Sequence, residues 1–299
     1  MKRTELGAEV FHIALSTSPN IGAKTLENLR QHFDNDLAAV FAASPPELQR
    51  VRGIGQKTAA EIGRMDPRRV ADQIASWRQR GVAIETIEQQ DYPAYLRDLE
   101  DGPPTLFWRG CARPDTWAKT VAIVGTRSPS PDARFITLQL AMQLARADYT
   151  VVSGLALGID AAAHTGALSA EGVTIAVLGS GVLKVYPSAN RELADRIRES
   201  GALVSELHPH DGANAQRLVS RNRIISGLSR AVIVVESDAQ GGAMYSARFA
   251  REQGRPVYTF DLPASGNQSL ITGGAIVLER DDPLDLLLGS LETAHPATN

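Results

Sequence analysis

Gly125-Thr126-Arg127-Ser128, Ser153-Gly154-Leu155-Ala156-Leu157-Gly158 and Gly179-Ser180-Gly181 each follow a short run of Val, Ile, Ala and Leu, and each joins glycine to a hydroxyl. Glycine lets the backbone approach a ligand closely. Free N–H groups ahead of a helix make an anion seat. The chemistry these types suit is the holding of phosphate. Arg221-Asn222-Arg223 adds two guanidinium forks that match phosphate oxygens; on an otherwise apolar stretch (Leu218, Val219, Ile224, Ile225) the same residues also read as a solvated helix face. Charge is distributed to agree. No Asp or Glu occurs in Thr116–Pro131, in Gly172–Arg191 or in Gly212–Val235, windows that hold Lys119 and Arg127, Lys184 and Arg191, and Arg217, Arg221, Arg223 and Arg230. The chain has 34 acids against 31 bases and a net charge of −3, so any affinity for a polyanion must come from a local positive groove.

Other chemistry is sparse. Asp160 and His164 stand at i and i+4, but no third ligand is near, and a structural network at a helix start is the expectation. His208 and His210 read as surface residues, and the single cysteine, Cys111, has no His partner to activate it. There is no Gly-x-Ser-x-Gly elbow, no His-Glu-x-x-His and no Walker motif, and the first glycine exit lacks the Gly-x-Gly-x-x-Gly of dinucleotide sites. Binding without catalysis, cofactor or metal is the simplest reading.

The elements that must position these residues begin near Lys119. Strands are expected at Val121–Val124, Thr150–Ser153, Thr174–Leu178, Leu203–Ser205, Ala231–Val235 and Val257–Phe260, with helices over 132–147, 159–170, 190–200, 215–228 and 243–253. Apolar runs that do not alternate belong to a parallel sheet covered on both faces. The fold class is therefore α/β, a Rossmann-like doubly wound, mostly parallel sheet over 119–289, whose ligands sit outside the carboxyl ends of the strands. A last strand at Ala275–Leu278 and a short helix near 283–288 complete it, and 290–299 reads as a disordered tail.

Ahead of this domain, Ile21-Gly22-Ala23-Lys24-Thr25 recurs as Ile54-Gly55-Gln56-Lys57-Thr58, 33 residues later. Each copy lies between apolar helical segments and resembles a helix-hairpin-helix, so residues 1–82 form a small all-α (SAM-like) domain. Its hairpins could touch DNA phosphates or serve only as packing. Residues 83–118 read as a connector packed on the next domain, with strands at Val82–Ile87 and Thr105–Trp108. No stretch approaches the roughly 20 apolar residues of a membrane span, and neither a signal peptide nor a disulfide is expected.

Five motifs in order, Val121-Ala-Ile-Val-Gly-Thr-Arg127, Val152-Ser-Gly-Leu-Ala-Leu-Gly-Ile-Asp-Ala-Ala-Ala-His164, Thr174-Ile-Ala-Val-Leu-Gly-Ser-Gly181, Tyr186-Pro-Ser-Ala-Asn190 and Arg221-Asn-Arg-Ile-Ile-Ser-Gly-Leu228, resemble the DNA-processing protein A (DprA/Smf) family over about Asp91–Asp285. The resemblance implies a cytoplasmic, non-enzymatic protein that binds single-stranded DNA, protects incoming DNA in natural transformation, helps load RecA and forms a homodimer through the Rossmann-like domain. It places the phosphate-binding Arg on Arg127, amide pockets on the Gly125, Gly154 and Gly179 exits, and an Arg-Asn-Arg motif on Arg221–Arg223. With their neighbours Thr126, Ser128, Ser153, Ser180, Gly181 and Asn190, these are the expected DNA-binding residues. The sequence departs at Ser188, where the family often has Lys (Lys184 or Arg191 would substitute), at Leu157, where it has Arg, at Gly241-Gly242-Ala243-Met244 in place of a Ser-Gly-Ser-Leu-like stretch, and at Asp261-Leu262-Pro263 in place of Pro-Gly. The alternative is a nucleotide-processing hydrolase of the lysine-decarboxylase-like (LOG) type, but Gln240–Ser246 lacks that class's Gly-Thr and Glu.

Overall fold

The computed structural model describes residues 6–113, 117–280 and 283–293. They fall into two units: one takes the chain up to Phe107 plus Glu206–His208, the other takes Trp108–Ser205 and Pro209 onward.

The first unit is helical, with α1 (Ala8–Ser16), α2 (Ala23–His32), α3 (Leu37–Ala42), α4 (Pro45–Leu48), α5 (Gln56–Ile62) and α6 (Pro67–Gln79). Leu15, Ile21, Leu26 and Leu29 from the first copy of the repeat share one core with Leu48, Val51, Ile54 and Ile62 from the second. The two copies also brace each other reciprocally. Asn28 Nδ2 donates to the Arg52 carbonyl at 2.8 Å, in the second hairpin. Glu61, which stands 33 residues after Asn28, accepts from Ser18 Oγ and Asn20 Nδ2, both at 2.6 Å, in the first. Positions one repeat apart therefore reach opposite hairpins, a pseudo-two-fold arrangement.

The stretch expected as a connector, 83–118, is divided between the units, with its part up to Phe107 in the first. β1 (Ala83–Thr86), α7 (Ala94–Arg97) and the start of β2 (Thr105–Gly110) are tied to it by particular contacts. Buried His12 Nε2 lies 2.8 Å from the Pro104 carbonyl, Ser16 Oγ lies 2.8 Å from Thr105 Oγ1, and Trp77 meets Phe107 edge to face at 5.5 Å. Buried apolar residues on β1 and β2 (Ile84, Leu106, Phe107) need a helical face to cover them, and α1 and α6 supply it.

In the second unit, β3 (Thr120–Val124), α8 (Pro131–Arg146), β4 (Thr150–Ser153), α9 (Ile159–Ser169), β5 (Thr174–Val177), α10 (Arg191–Ser200) and β6 (Ala202–Ser205) alternate. They are followed by α11 (Ala215–Ser220), α12 (Asn222–Gly227), β7 (Val232–Val234), α13 (Ala243–Glu252), β8 (Val257–Phe260), α14 (Ser265–Thr272), β9 (Ile276–Leu278) and α15 (Pro283–Thr293). The order across the sheet is β6-β5-β4-β3-β7-β8-β9, and every one of these pairings is parallel. β3 through β8 are buried along their whole lengths, as a sheet covered on both faces requires.

Three elements differ from expectation. The helix expected over 215–228 is split at Arg221, where the Ile224 amide bonds back to the Arg221 carbonyl in a tighter turn. α14 was not expected; it is held by Asn267, whose buried side chain bonds Val235, Thr259, Phe260 and the Ser237 amide. The last helix runs to Thr293, so 290–293 of the expected tail is helical, while 294–299 lies outside the described residues.

Candidate nucleic-acid interface

The chain builds outward from β3 through β4 and β5 to β6, then returns to the other side of β3 with β7 and moves outward again. The connections leaving β3 and β7 thus diverge, and a crevice opens at the carboxyl ends of these neighbours. A cleft of about 670 Å³ occupies this place. Val124–Arg127 from the β3 exit, Ala156 and Asp160 from the β4 exit, Tyr186, the start of α11 with Leu218 and Val219, Arg221-Asn222, and, after β7, Ser237, Asp238, Gly241–Ala243 and Ser246 form its walls.

The glycines expected to admit a ligand are mostly filled by the protein itself. A Cβ on Gly125 would lie 2.5 Å from Ile159 Cγ1, and one on Gly179 would lie 2.8 Å from Leu218 Cδ2. A Cβ on Gly154 would collide with the Arg221 guanidinium. Many of the nearby amides are also engaged. Thr126 N donates to the Glu236 carbonyl at 2.7 Å, Ser128 N to Thr126 Oγ1 at 3.3 Å, and Gly181 N to the Asp211 carbonyl at 2.9 Å. Ser130 N, at the start of α8, donates to the Glu236 carboxylate at 2.7 Å.

Arg221 is the pivot of the site's interior. It is buried, and its Nη1 donates to the Gly154 and Val177 carbonyls, both at 2.5 Å, while Nε donates to Asn222 Oδ1 at 3.0 Å. Nη2 lies 3.8 Å from Asp160 Oδ2. Asp160 in turn accepts from Gly154 N at 3.1 Å and Ala156 N at 3.3 Å. Burial pushes the Asp160 carboxyl above its ordinary range, and the Arg221 charge pulls it back. Burial likewise lowers Arg221, opposed by Asp160, while Arg127 lowers it further. His164 shares the helix but not the pair: its Nδ1 lies 2.7 Å from Thr174 Oγ1. Asp160 and His164 are thus tied to different protein groups, and no cluster that could hold a metal is found among the described residues.

Placement separates the expected DNA-binding residues into groups. Gly125, Thr126, Arg127, Arg221 and Asn222 line the cleft. Of these, Arg127 is exposed, and its side chain has no ion pair or hydrogen bond among the described residues. Arg221 and Asn222 are buried and tied to protein groups; Asn222 Nδ2 donates to the Gly242 carbonyl at 3.3 Å. Ser128, Lys184 and Arg191 are exposed but outside the cleft lining. Ser153 Oγ donates to the Ile123 carbonyl at 2.6 Å, and Asn190 Nδ2 pins the Leu155 and Ala156 carbonyls at 2.9 and 3.2 Å. Gly154, Gly179, Ser180 and Gly181 are buried, and Arg223 is half-buried away from the cleft, with its carbonyl accepting from Gln253 Nε2 at 2.9 Å.

All three acid-free windows contribute residues to the cleft, but its charge is mixed. Arg217 pairs with Asp211 at 2.6 Å, one residue outside its window, and Arg230 Nε donates to the Ala118 carbonyl at 2.9 Å. Asp160 and Asp238 both reach the cleft. Asp211 stands six residues from Arg217, just past the edge of the window, whereas Ala118 lies 112 residues from Arg230. Sequence reasoning also passed over Asn214, Ser237 and Ser246 as lining residues; their signal was position after a strand or at a helix start.

The model of the family described as DNA recombination-mediator protein A matches residues 83–287. The Smf protein of Synechocystis is 34% identical over 294 residues, covering 95% of this chain and 73% of that one. The crystal structure of DNA processing protein A from Streptococcus pneumoniae superposes with a TM-score of 0.79 at 27% identity, covering 95% of this chain and 98% of that one. DNA processing protein A from Helicobacter pylori, whose structure was determined for its single-stranded DNA binding mode, has a TM-score of 0.63 at 28% identity, covering 69% of this chain and 96% of that one.

Proposed function

The chain belongs to the DNA recombination-mediator protein A family, and from that premise we propose that it is a DNA-processing protein that binds single-stranded DNA through the cleft between the β3 and β7 exits. The observation that carries this reading is Arg127: an uncommitted guanidinium at the mouth of a switch-point cleft, in a chain whose other cleft-lining arginine is tied down inside. A charge-assisted bond to a phosphate is the interaction such a group makes best. Tyr186, 47% exposed on the rim, offers a face on which a base can stack. Exposed Lys184 and Arg191 extend positive charge from that rim, so the strand runs from Arg127 past Tyr186 toward them. Arg221, Asn222, Ser153 and Asn190 act as positioning residues that hold the exits in shape. The role in the cell is protection of incoming DNA during natural transformation and its delivery to RecA, by a cytoplasmic homodimer. No helix among the described residues is long and apolar enough to cross a membrane.

The test is Arg127→Ala with fluorescent oligo-dT. Affinity is expected to fall by about 1–3 kcal/mol, with unfolding unchanged. Wild-type affinity should also decline steeply with salt, as phosphate contacts require, and a duplex competitor should lose to the single strand. Unchanged affinity in folded Arg127→Ala protein would overturn the assignment. Turnover of nucleoside monophosphates at enzyme-like rates would favour the hydrolase alternative.

A further inference from the structure

Of the three glycines lining the cleft, Gly125 and Gly241 are filled by neighbouring protein atoms. Gly242 differs: nothing lies within 4 Å of the place its Cβ would occupy. It is the N-cap of α13, a helix of 10 residues, and no side chain caps that end. Gly241 N, Met244 N and Tyr245 N donate to backbone carbonyls, whereas Gly242 N and Ala243 N have no acceptor among the described residues. A second observation points the same way. Ser246, one turn into α13, lines the cleft at 1% exposure, and its Oγ has no hydrogen-bond partner among the described residues. Helical side chains tilt toward the N-terminus, so this hydroxyl points back at the unoccupied first turn. A serine at this position commonly bonds the carbonyl four residues earlier; here that carbonyl, of Gly242, accepts from Tyr245 N and Asn222 Nδ2 instead. A buried hydroxyl without a partner is costly, and two free amides at a positive helix end prefer an anion.

We propose that this end of α13 is a seat for the phosphate of a nucleotide, held by the Gly242 and Ala243 amides and the Ser246 hydroxyl, with Arg127 supplying charge from the β3 side of the cleft. The cleft volume suits a mononucleotide as well as a short stretch of strand. The phosphate can therefore come from a free nucleotide or from the bound DNA. Naming the ligand a nucleotide rests on the nucleic-acid reading above; the anion seat itself does not. It also moves the main backbone-amide contact from the β3, β4 and β5 exits to the β7 exit.

Full-length protein, Gly242→Asp and Ser246→Ala would be titrated with dTMP, thymidine and oligo-dT by calorimetry. An Asp at 242 has room for its side chain and puts a carboxylate at the positive end of α13, where the phosphate would sit. Its Tm should rise while phosphate affinity falls roughly tenfold to a hundredfold. A residue with only a structural role would not separate stability from binding in this way. Ser246→Ala should fold normally and lose about five- to tenfold, and thymidine should not bind. Weakened dTMP binding assigns the seat to free nucleotides; weakening of oligo-dT alone assigns it to the strand. Binding of dTMP without oligo-dT would leave the seat intact and remove the single-strand reading. Wild-type affinities in both variants, or no binding of either ligand to wild type, would overturn the seat.

Discussion

Two helix starts in the second unit look alike in sequence and differ in the folded chain. α9 follows Ser153-Gly154 and a run ending in Gly158; α13 follows Gly241-Gly242. Both offer glycine ahead of a helix at a strand exit. At α9 the protein has filled its own anion site: the Asp160 carboxylate takes the Gly154 and Ala156 amides, and Arg221 neutralises it while occupying the space beside Gly154. At α13 no internal group fills the corresponding position. A glycine exit therefore marks an anion-binding backbone without saying whose anion it holds. The deciding residues, Asp160 and Arg221, lie 6 and 67 positions from Gly154.

The largest effect that tests this contrast is expected at Arg221. Replacing it by Ala leaves Asp160 buried without its counter-charge and strips a donor from the Gly154 and Val177 carbonyls. Removing one member of a buried pair costs about 3–5 kcal/mol. Denaturant unfolding of Arg221→Ala should show a loss of that order. A loss below about 1 kcal/mol together with abolished oligo-dT binding would mean that Arg221 is a DNA ligand and that the α9 end is open after all.

This contrast also shows what the residues revealed before folding was known. The continuous apolar runs announced β3, β4, β5 and β7, because a strand buried on both faces has little room for polar residues. The cleft's location followed from the alternation of strands and helices. Arg127 was legible because it stands in the exit itself. Arg221 was named from its chemistry, and its commitment to Gly154, Val177 and Asp160 was not visible, since each partner comes from another element. The break at Arg221 was invisible for the same reason: its own residues favour a helix, and tertiary contacts set the tighter turn. Strands β1 and β2 were legible as strands from their apolar residues.

A smaller effect comes with pH. Thr174 Oγ–H donates to the Val151 carbonyl at 2.7 Å, so the same oxygen accepts from His164 Nδ1–H. Protonation would then fall on Nε2, which is buried without a partner. Burial, aided by the nearby Arg221 charge, lowers the His164 pKa to about 3. In the first unit, burial lowers His12 to about 4, partly offset by the Pro104 carbonyl. For a histidine lowered on folding, the unfolded chain binds more protons between the two pKa values. Stability is therefore complete above about pH 6.5 and falls as pH drops, until about 4 for His12 and about 3 for His164. At pH 5 each unit should have lost about 2 kcal/mol from its own histidine. Hydrogen exchange resolved by unit would measure both slopes. If the second unit's slope is the same in His164→Asn, the charge-closed interior around α9 does not depend on a neutral imidazole.

The smallest expected effect separates two hydroxyls. Ser180, at the β5 exit, and Ser246, one turn into α13, are both buried, and the Oγ of each has no hydrogen-bond partner among the described residues. Ser246 lines the cleft beneath free amides; Ser180 does not line it, and α11 packs over the neighbouring Gly179. Burial without a partner has a cost in both cases, so alanine at either position should leave stability unchanged or raise it by up to about 1 kcal/mol. Binding should divide them. Ser246→Ala removes a donor that faces the ligand, whereas Ser180→Ala removes one that faces only protein, so its oligo-dT affinity should equal that of wild type. A loss of more than about threefold in Ser180→Ala would reverse the contrast, because the β5 exit would then have to open toward the strand and the α13 end would not be alone in offering uncommitted donors.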